Sequence, residues 1–233
     1  MPISFPAQFH DPEQYVHFLD DFMCPASATA SDVMTWTSMD DGGTGTNAFQ
    51  DAQSGVYNIV TAAADNDYHG ARSVNKTYVF ASGKPLWLDA KFKVSEATLL
   101  ESTWWIGLSD TVTTGGFRSD TSGPLASYTG ALVYKTPETA LTVNAQVSAA
   151  AVQSTIAALA ASVSATWNRV QIYWDGAGYI TLHFYNGTSW YQTSPIPFTA
   201  GTTAMYLIAG IKAGPTAAAE TLQLDYIRVA QAR

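Results

Sequence analysis

An all-β fold, an antiparallel β-sandwich preceded by an extended N-terminal arm, is predicted by three features of this 233-residue chain. The stretch Trp167 to Trp190 reads as two alternating strands about the turn Asp175-Gly176-Ala177-Gly178, with Val170, Ile172 and Trp174 on one face and Ile180, Leu182 and Phe184 on one face of the partner. About a dozen such short apolar segments recur at roughly 8–12-residue spacing, the pattern of a sandwich. The composition is 47% hydrophobic and only 13% charged, against a usual charged share of about 25%. Such a chain buries a large core and leaves an uncharged surface of Ser, Thr, Gly, Ala and Asn.

Taken in order, residues 1–16 form the arm, because Pro2, Pro6 and Pro12 interrupt any regular element. Ile3, Phe5, Phe9 and Tyr15 sit among those prolines, as an extended segment that docks side chains on a partner would place them. The sandwich domain takes residues 17–233. Tyr15 to Met23 leads into a first strand with Asp20-Asp21-Phe22 at its start, and Trp36 opens a second segment before the loop Asp40-Asp41-Gly42-Gly43-Thr44-Gly45. Residues 55–62 and 77–81 read as strands separated by the turn Asp65-Asn66-Asp67. Two carboxylates in one turn are too few for calcium unless another loop joins them, and Asx-turn chemistry accounts for them; no metal and no cofactor is expected.

Residues 85–94 alternate, with Leu86, Leu88, Ala90, Phe92 and Val94 on one side and Trp87, Asp89, Lys91 and Lys93 on the other. The next strand, 103–109, must place Trp104 and Trp105 on opposite faces. Residues 110–129 read as a long connection with a strand around Gly116-Phe117-Arg118, and 130–166 as short meandering strands rather than a helix, since a capping box is missing and β-branched residues are frequent. Pro195 and Pro197 mark an edge or turn, 204–211 a central strand, and the last strand begins at Thr221 with Leu222 and Leu224 on one face; if a bulge follows, Tyr226 need not keep to that face, since Ile227 and Val229 are also apolar.

Several functions are disfavoured by the residues present. A net charge of −8 and the lack of Lys/Arg clusters argue against nucleic acid. No basic-then-apolar leader stands at the start, and no apolar run approaches the roughly 20 residues that cross a bilayer. Cys24 is the single cysteine, which excludes an intrachain disulfide and reads as a packed thiol of a chain made in a reducing cytoplasm. The four histidines, His10, His17, His69 and His183, show no paired metal spacing, and the glutamates do not fall on one strand face as a glycosidase pair would. No enzyme is expected. His183, beside Tyr179, Thr181 and Tyr185, reads as an outward surface or interface residue.

The segments LDDFM, DNDYHGARS, SGKPLWLDAKFKVSEA, WIGLSDT, WNRVQIYWDGAGYITLHFYNG and LQLDYIRVAQAR, in that order over residues 17–233, resemble a family of tailed-bacteriophage virion structural proteins. The resemblance implies a concanavalin A-like or laminin G-like jelly roll. It also implies a decoration or cement protein on the outer capsid surface, bound to the major capsid protein, with a homotrimer as the expected self-assembly. It transfers no catalytic residues. The alternative is a module for host-surface glycan, on the head or on a tail fibre, with Trp87, Trp104, Trp190 and Tyr191 as its stacking residues.

Overall fold

The computed structural model describes residues 15–22, 36–50, 55–96, 101–112, 123–136, 142–162, 164–216 and 218–233. Ile3, Phe5, Phe9, Cys24 and the strand expected at 116–118 lie outside the described residues. Among the described residues all regular structure is β, in two antiparallel sheets.

The strands, in chain order, are β1 (Tyr15–Asp20), β2 (Trp36–Asp40), β3 (Thr46–Gln50), β4 (Val56–Val60), β5 (Tyr68–Ser73), β6 (Leu86–Ser95), β7 (Thr103–Ser109) and β8 (Gly130–Lys135). There follow β9 (Thr142–Ala149), β10 (Val152–Ala161), β11 (Trp167–Trp174), β12 (Tyr179–Tyr185), β13 (Trp190–Gln192), β14 (Ile196–Pro197), β15 (Tyr206–Lys212) and β16 (Thr221–Ala232). The first sheet runs β13-β12-β11-β6-β16-β4-β3, with β1 also beside β16 and β14 beside β12; the second runs β10-β9-β8-β7-β15-β5-β2.

The apolar alternation fixes which face is inside. Leu86, Leu88, Ala90, Phe92 and Val94 of β6 join Val170, Ile172 and Trp174 of β11 and Ile180, Leu182 and Phe184 of β12 in one core, which the second sheet closes with Trp104, Ile106, Leu108, Ala131 and Val133. Trp104 bridges the layers, 4.8 Å from Phe92 and 5.9 Å from Phe184 between ring centroids. Truncating such a ring to alanine costs about 3–5 kcal/mol. A charged pair is enclosed with it: Lys135 Nζ lies 2.7 Å from Glu96 Oε1, with the two side chains 0% and 2% exposed. Lys135 also donates to the Ser102 carbonyl, and Glu96 accepts from the Ser102 amide and hydroxyl. Hydrogen bonds of this kind offset the desolvation of both charges.

The hairpin forms as its sequence indicates, with Val170 opposite Phe184, Ile172 opposite Leu182 and Trp174 opposite Ile180. Asp175 Oδ1 accepts the amides of Ala177, Gly178 and Tyr179, and Gly176 takes φ +76° where a Cβ would meet Pro85. The bulge in β16 falls between Leu224 and Tyr226 and returns Ile227 and Val229 to the core. Before the bulge β16 pairs with β4; after it, with β1.

Four expectations change. Asp20 closes β1 instead of opening it. Residues 77–81 are not a strand: Tyr78 makes an isolated bridge to Met205, and the amide of Gln231 bonds both the N–H and the carbonyl of Val79, taking the place of a neighbouring backbone. The strand in that region is β5, which directly follows the Asp65-Asn66-Asp67 turn. The segment 130–166 contains longer strands than a meander, β9 and β10 being 8 and 10 residues.

Candidate functional site

The outer face of the first sheet carries the polar members of each alternating strand, and strand register sets them in rows. One row crosses five strands as Trp190, Tyr185, Arg169, Lys91 and Tyr226. Beside it runs Gln192, His183, Gln171, Asp89 and Arg228. On the other side lie Trp167, Lys93, Gln223 and Asn58.

Asp89 is the centre of this face. Its carboxylate is 0% exposed and accepts from Arg169 Nη2 at 2.7 Å and Nε at 3.3 Å, from Arg228 Nη2 at 2.7 Å and Nε at 3.0 Å, and from the Tyr226 hydroxyl at 3.2 Å. The two guanidinium side chains remain 29% and 34% exposed, so the anion is buried beneath cations that reach solvent. Burial, with the Asp89 charge added, pushes the Tyr226 phenol up to about 12, which keeps it a donor. The other carboxylate here, Asp225, pairs with Lys91 at 2.5 Å. Both carboxylates are thus held by cations, and on these rows neither is free to act as a general acid or base.

Aromatic rings line the cations. Arg169 lies 5.4 Å from the Trp190 ring centroid, Lys91 and Lys93 lie 4.9 and 5.1 Å from that of Trp167, and Arg228 lies 4.9 Å from that of Trp87. Trp190 also packs against Tyr185 at 5.3 Å. Trp167, Trp190, Tyr185 and Tyr226 are each partly exposed.

The glycan candidates named from sequence divide. Trp190 stands on this face. Tyr191, the next residue, points the other way and packs against the core. Trp87 is on the outer side but 0% exposed, covered by Arg228, Tyr15 and Tyr173, and Trp104 is 0% exposed between the sheets, so neither offers a ring to a sugar. Trp105, which does face outward, is 1% exposed and stacks under Tyr68 at 5.2 Å. Tyr15 belongs to β1 and is 8% exposed against Trp87, so its ring is occupied within its own sheet.

His183 also departs from its sequence reading: it is outward by register yet 2% exposed, and burial drives its pKa down to about 4. It faces Gln171, 1% exposed, and His183 Nε2 and Gln171 Oε1 have no hydrogen-bond partner in the described structure. Trp167, Arg169, Tyr185, Tyr226 and Arg228 were not singled out by the sequence reading. Their signal was the polar half of each alternation, and strand register was needed to join the halves.

The acidic loops behave as Asx turns. Asp40 and Asp41 accept from the amides of Gly42 and Gly43, Asp41 also from Tyr68, and Asp67 from Ala62. Among the described residues no group of three or more His, Cys, Asp or Glu is placed to hold a metal ion. A surface cavity of about 520 Å³ lies elsewhere, between Thr77–Lys84 and Gln231–Arg233, with no acidic or histidine side chain in its lining.

No protein-family model matches this chain, and no curated protein matches it. Solved structures do. Peanut lectin aligns with a TM-score of 0.65 at 10% identity, covering 94% of this chain and 97% of that one. Basic winged bean lectin, solved with Tn-antigen, aligns at 0.63 and 11%, covering 94% and 98%. An endo-β-1,4-glucuronan lyase from the fungus Trichoderma reesei aligns at 0.52 and 10%, covering 83% and 94%. At such identity these likenesses speak to the fold and leave both the chemistry and any virion origin to other observations; what they establish is that this chain folds as a lectin-like, concanavalin A-like β-sandwich.

Proposed function

We propose that this protein is a carbohydrate-binding module that holds an oligosaccharide on the outer face of its first sheet. The observation that carries the reading is the row Trp190–Tyr185–Arg169–Lys91–Tyr226, which sets two fixed cations between partly exposed rings across five strands. Rings stack on the apolar faces of sugars, and guanidinium and ammonium groups donate to their oxygens. At about 4.8 Å between strands the row is roughly 19 Å long, which suits several sugar rings in line. The lectins among the solved structures support binding over turnover, and the engagement of Asp89 and Asp225 by cations supports it further.

The test is a glycan array followed by calorimetry on the strongest ligand, with Trp190→Ala and Trp167→Ala compared with the parent. Removing a stacked, partly exposed ring should weaken binding about fivefold to tenfold while leaving the melting temperature within a few degrees. An array without signal, or variants that bind as the parent does, would remove this face from consideration.

Placement on a bacteriophage head, contact with a major capsid protein and a homotrimer are a second proposal, carried by the motif resemblance. One structural observation favours contact with other protein. Strand β10 is a sheet edge of ten residues without charge or proline, and Val152 and Ile156 on it are 75% and 37% exposed. Copy number of this chain in purified particles, measured by quantitative mass spectrometry, decides it.

A further inference from the structure

We infer that the oligosaccharide held on the outer face of the first sheet is anionic, carrying carboxylate or sulfate groups; the inference rests on the carbohydrate-binding reading above and adds the charge of the ligand. The chain has 11 Lys and Arg against 19 Asp and Glu, a net −8, so its general field repels anions. Four of those cations, Lys91, Lys93, Arg169 and Arg228, nevertheless stand on three adjacent rows of one face, with Asp89 and Asp225 as the acidic residues among them.

These rows carry four cations to two carboxylates, and Asp89 alone takes two arginines. Lys91 is matched by Asp225. Lys93 touches the Trp167 ring. Two of the four cations thus stand beside partly exposed rings, Arg169 near Trp190 and Lys93 near Trp167.

Matching Asp89 and Asp225 takes two cations, and these rows carry four. An anionic sugar uses the surplus, since charge-assisted bonds from arginine to a carboxylate or sulfate are the stronger kind. Adjacent to the row, Gln171 Oε1 and His183 Nε2 are buried without a protein partner, as polar atoms at the edge of a ligand site are.

The experiment compares three ligands of one β-linked backbone by calorimetry at low salt: an oligoglucose, the same chain oxidised at C6 to the uronate, and the same chain sulfated at C6. The expected result is that at least one charged form binds about tenfold more tightly than the neutral one, an advantage that shrinks as salt is raised. Lys93→Gln should cut the charged-ligand affinity about threefold more than the neutral-ligand affinity, and Lys93→Glu should widen that difference. Lys84→Gln, the same change in net charge at a site away from these rows, should do nothing. Both lysines are surface residues outside the core, and thermal melts of each variant confirm the fold. Equal affinity for neutral and charged chains overturns the inference and leaves the carbohydrate reading standing. Binding of none of the three, together with a glycan array without signal, overturns both, and an equal loss with Lys84→Gln shows a field effect and overturns the assignment to this face.

Discussion

Replacing Asp89 by asparagine keeps the shape of the side chain and removes the carboxylate on which Arg169 and Arg228 converge. The carboxylate accepts five hydrogen bonds from three side chains and has no exposed surface, whereas the guanidinium groups are about a third exposed. Breaking a fully buried pair costs about 3–5 kcal/mol. Water reaching the arginines screens part of their loss, so about 2–4 kcal/mol is expected for Asp89→Asn. For a domain of this size each kcal/mol moves the melting midpoint by about 2–4 °C, which gives a fall of roughly 5–15 °C in a calorimetric scan. The double variant Asp89→Asn/Arg228→Gln should recover part of that fall, because the repulsion between two unneutralised guanidiniums goes with it. A single variant that melts within about 1 °C of the parent, or a double variant whose loss is the plain sum of the two singles, would refute the view that one carboxylate organises this face.

Two further measurements bear on the charges the fold encloses. Lys135→Met strands Glu96 between the sheets and should cost about 3–5 kcal/mol in urea denaturation, while Lys135→Met/Glu96→Leu, with both charges gone, should restore much of the loss; equal losses would mean that the pair is not coupled. His183 is neutral in the folded state because its pKa is pushed down to about 4 by burial. In the unfolded chain it takes a proton near its ordinary value, so its contribution is full above about pH 6.5 and is lost as pH falls from there to about 4. The loss is at most about 3 kcal/mol. His183→Gln should therefore lose less stability than the parent between pH 7 and pH 4.5, and parallel losses would show that other groups govern the acid limb.

The hairpin was legible because β11 and β12 alternate without interruption and Asp175 and Gly176 are the residues such a turn requires. Strand β5 was hidden, since Tyr68–Ser73 has no apolar period; Gly70 sits at its middle because a Cβ there would meet Met39 and the Ala209 carbonyl. The polar half of β6, with Asp89, Lys91 and Lys93, was visible in the alternation. Its junction with Arg169 and Arg228 was not, because those residues lie 80 and 139 positions from Asp89 and meet it only through register and the β16 bulge. Tryptophan burial was the hardest to read. Period two assigns a ring to a face, as it did for Trp104 and Trp105, but whether the outward ring meets solvent depends on what packs over it, and Tyr68 covers Trp105.

The pairing of β16 has a consequence for the order in which the protein folds. It joins β6 on one side to β4 and β1 on the other; until residues 221–232 arrive, β6 and β4 each present an unpaired edge. The β11–β12 hairpin and its contact with β13 need only neighbouring residues and form early. The union of β1 with β16 must close a loop that spans most of the chain, which places folding toward the slow, high-contact-order end of the range. During that interval the open edges of β4 and β6 are where a newly made chain is most exposed to mispairing with another copy.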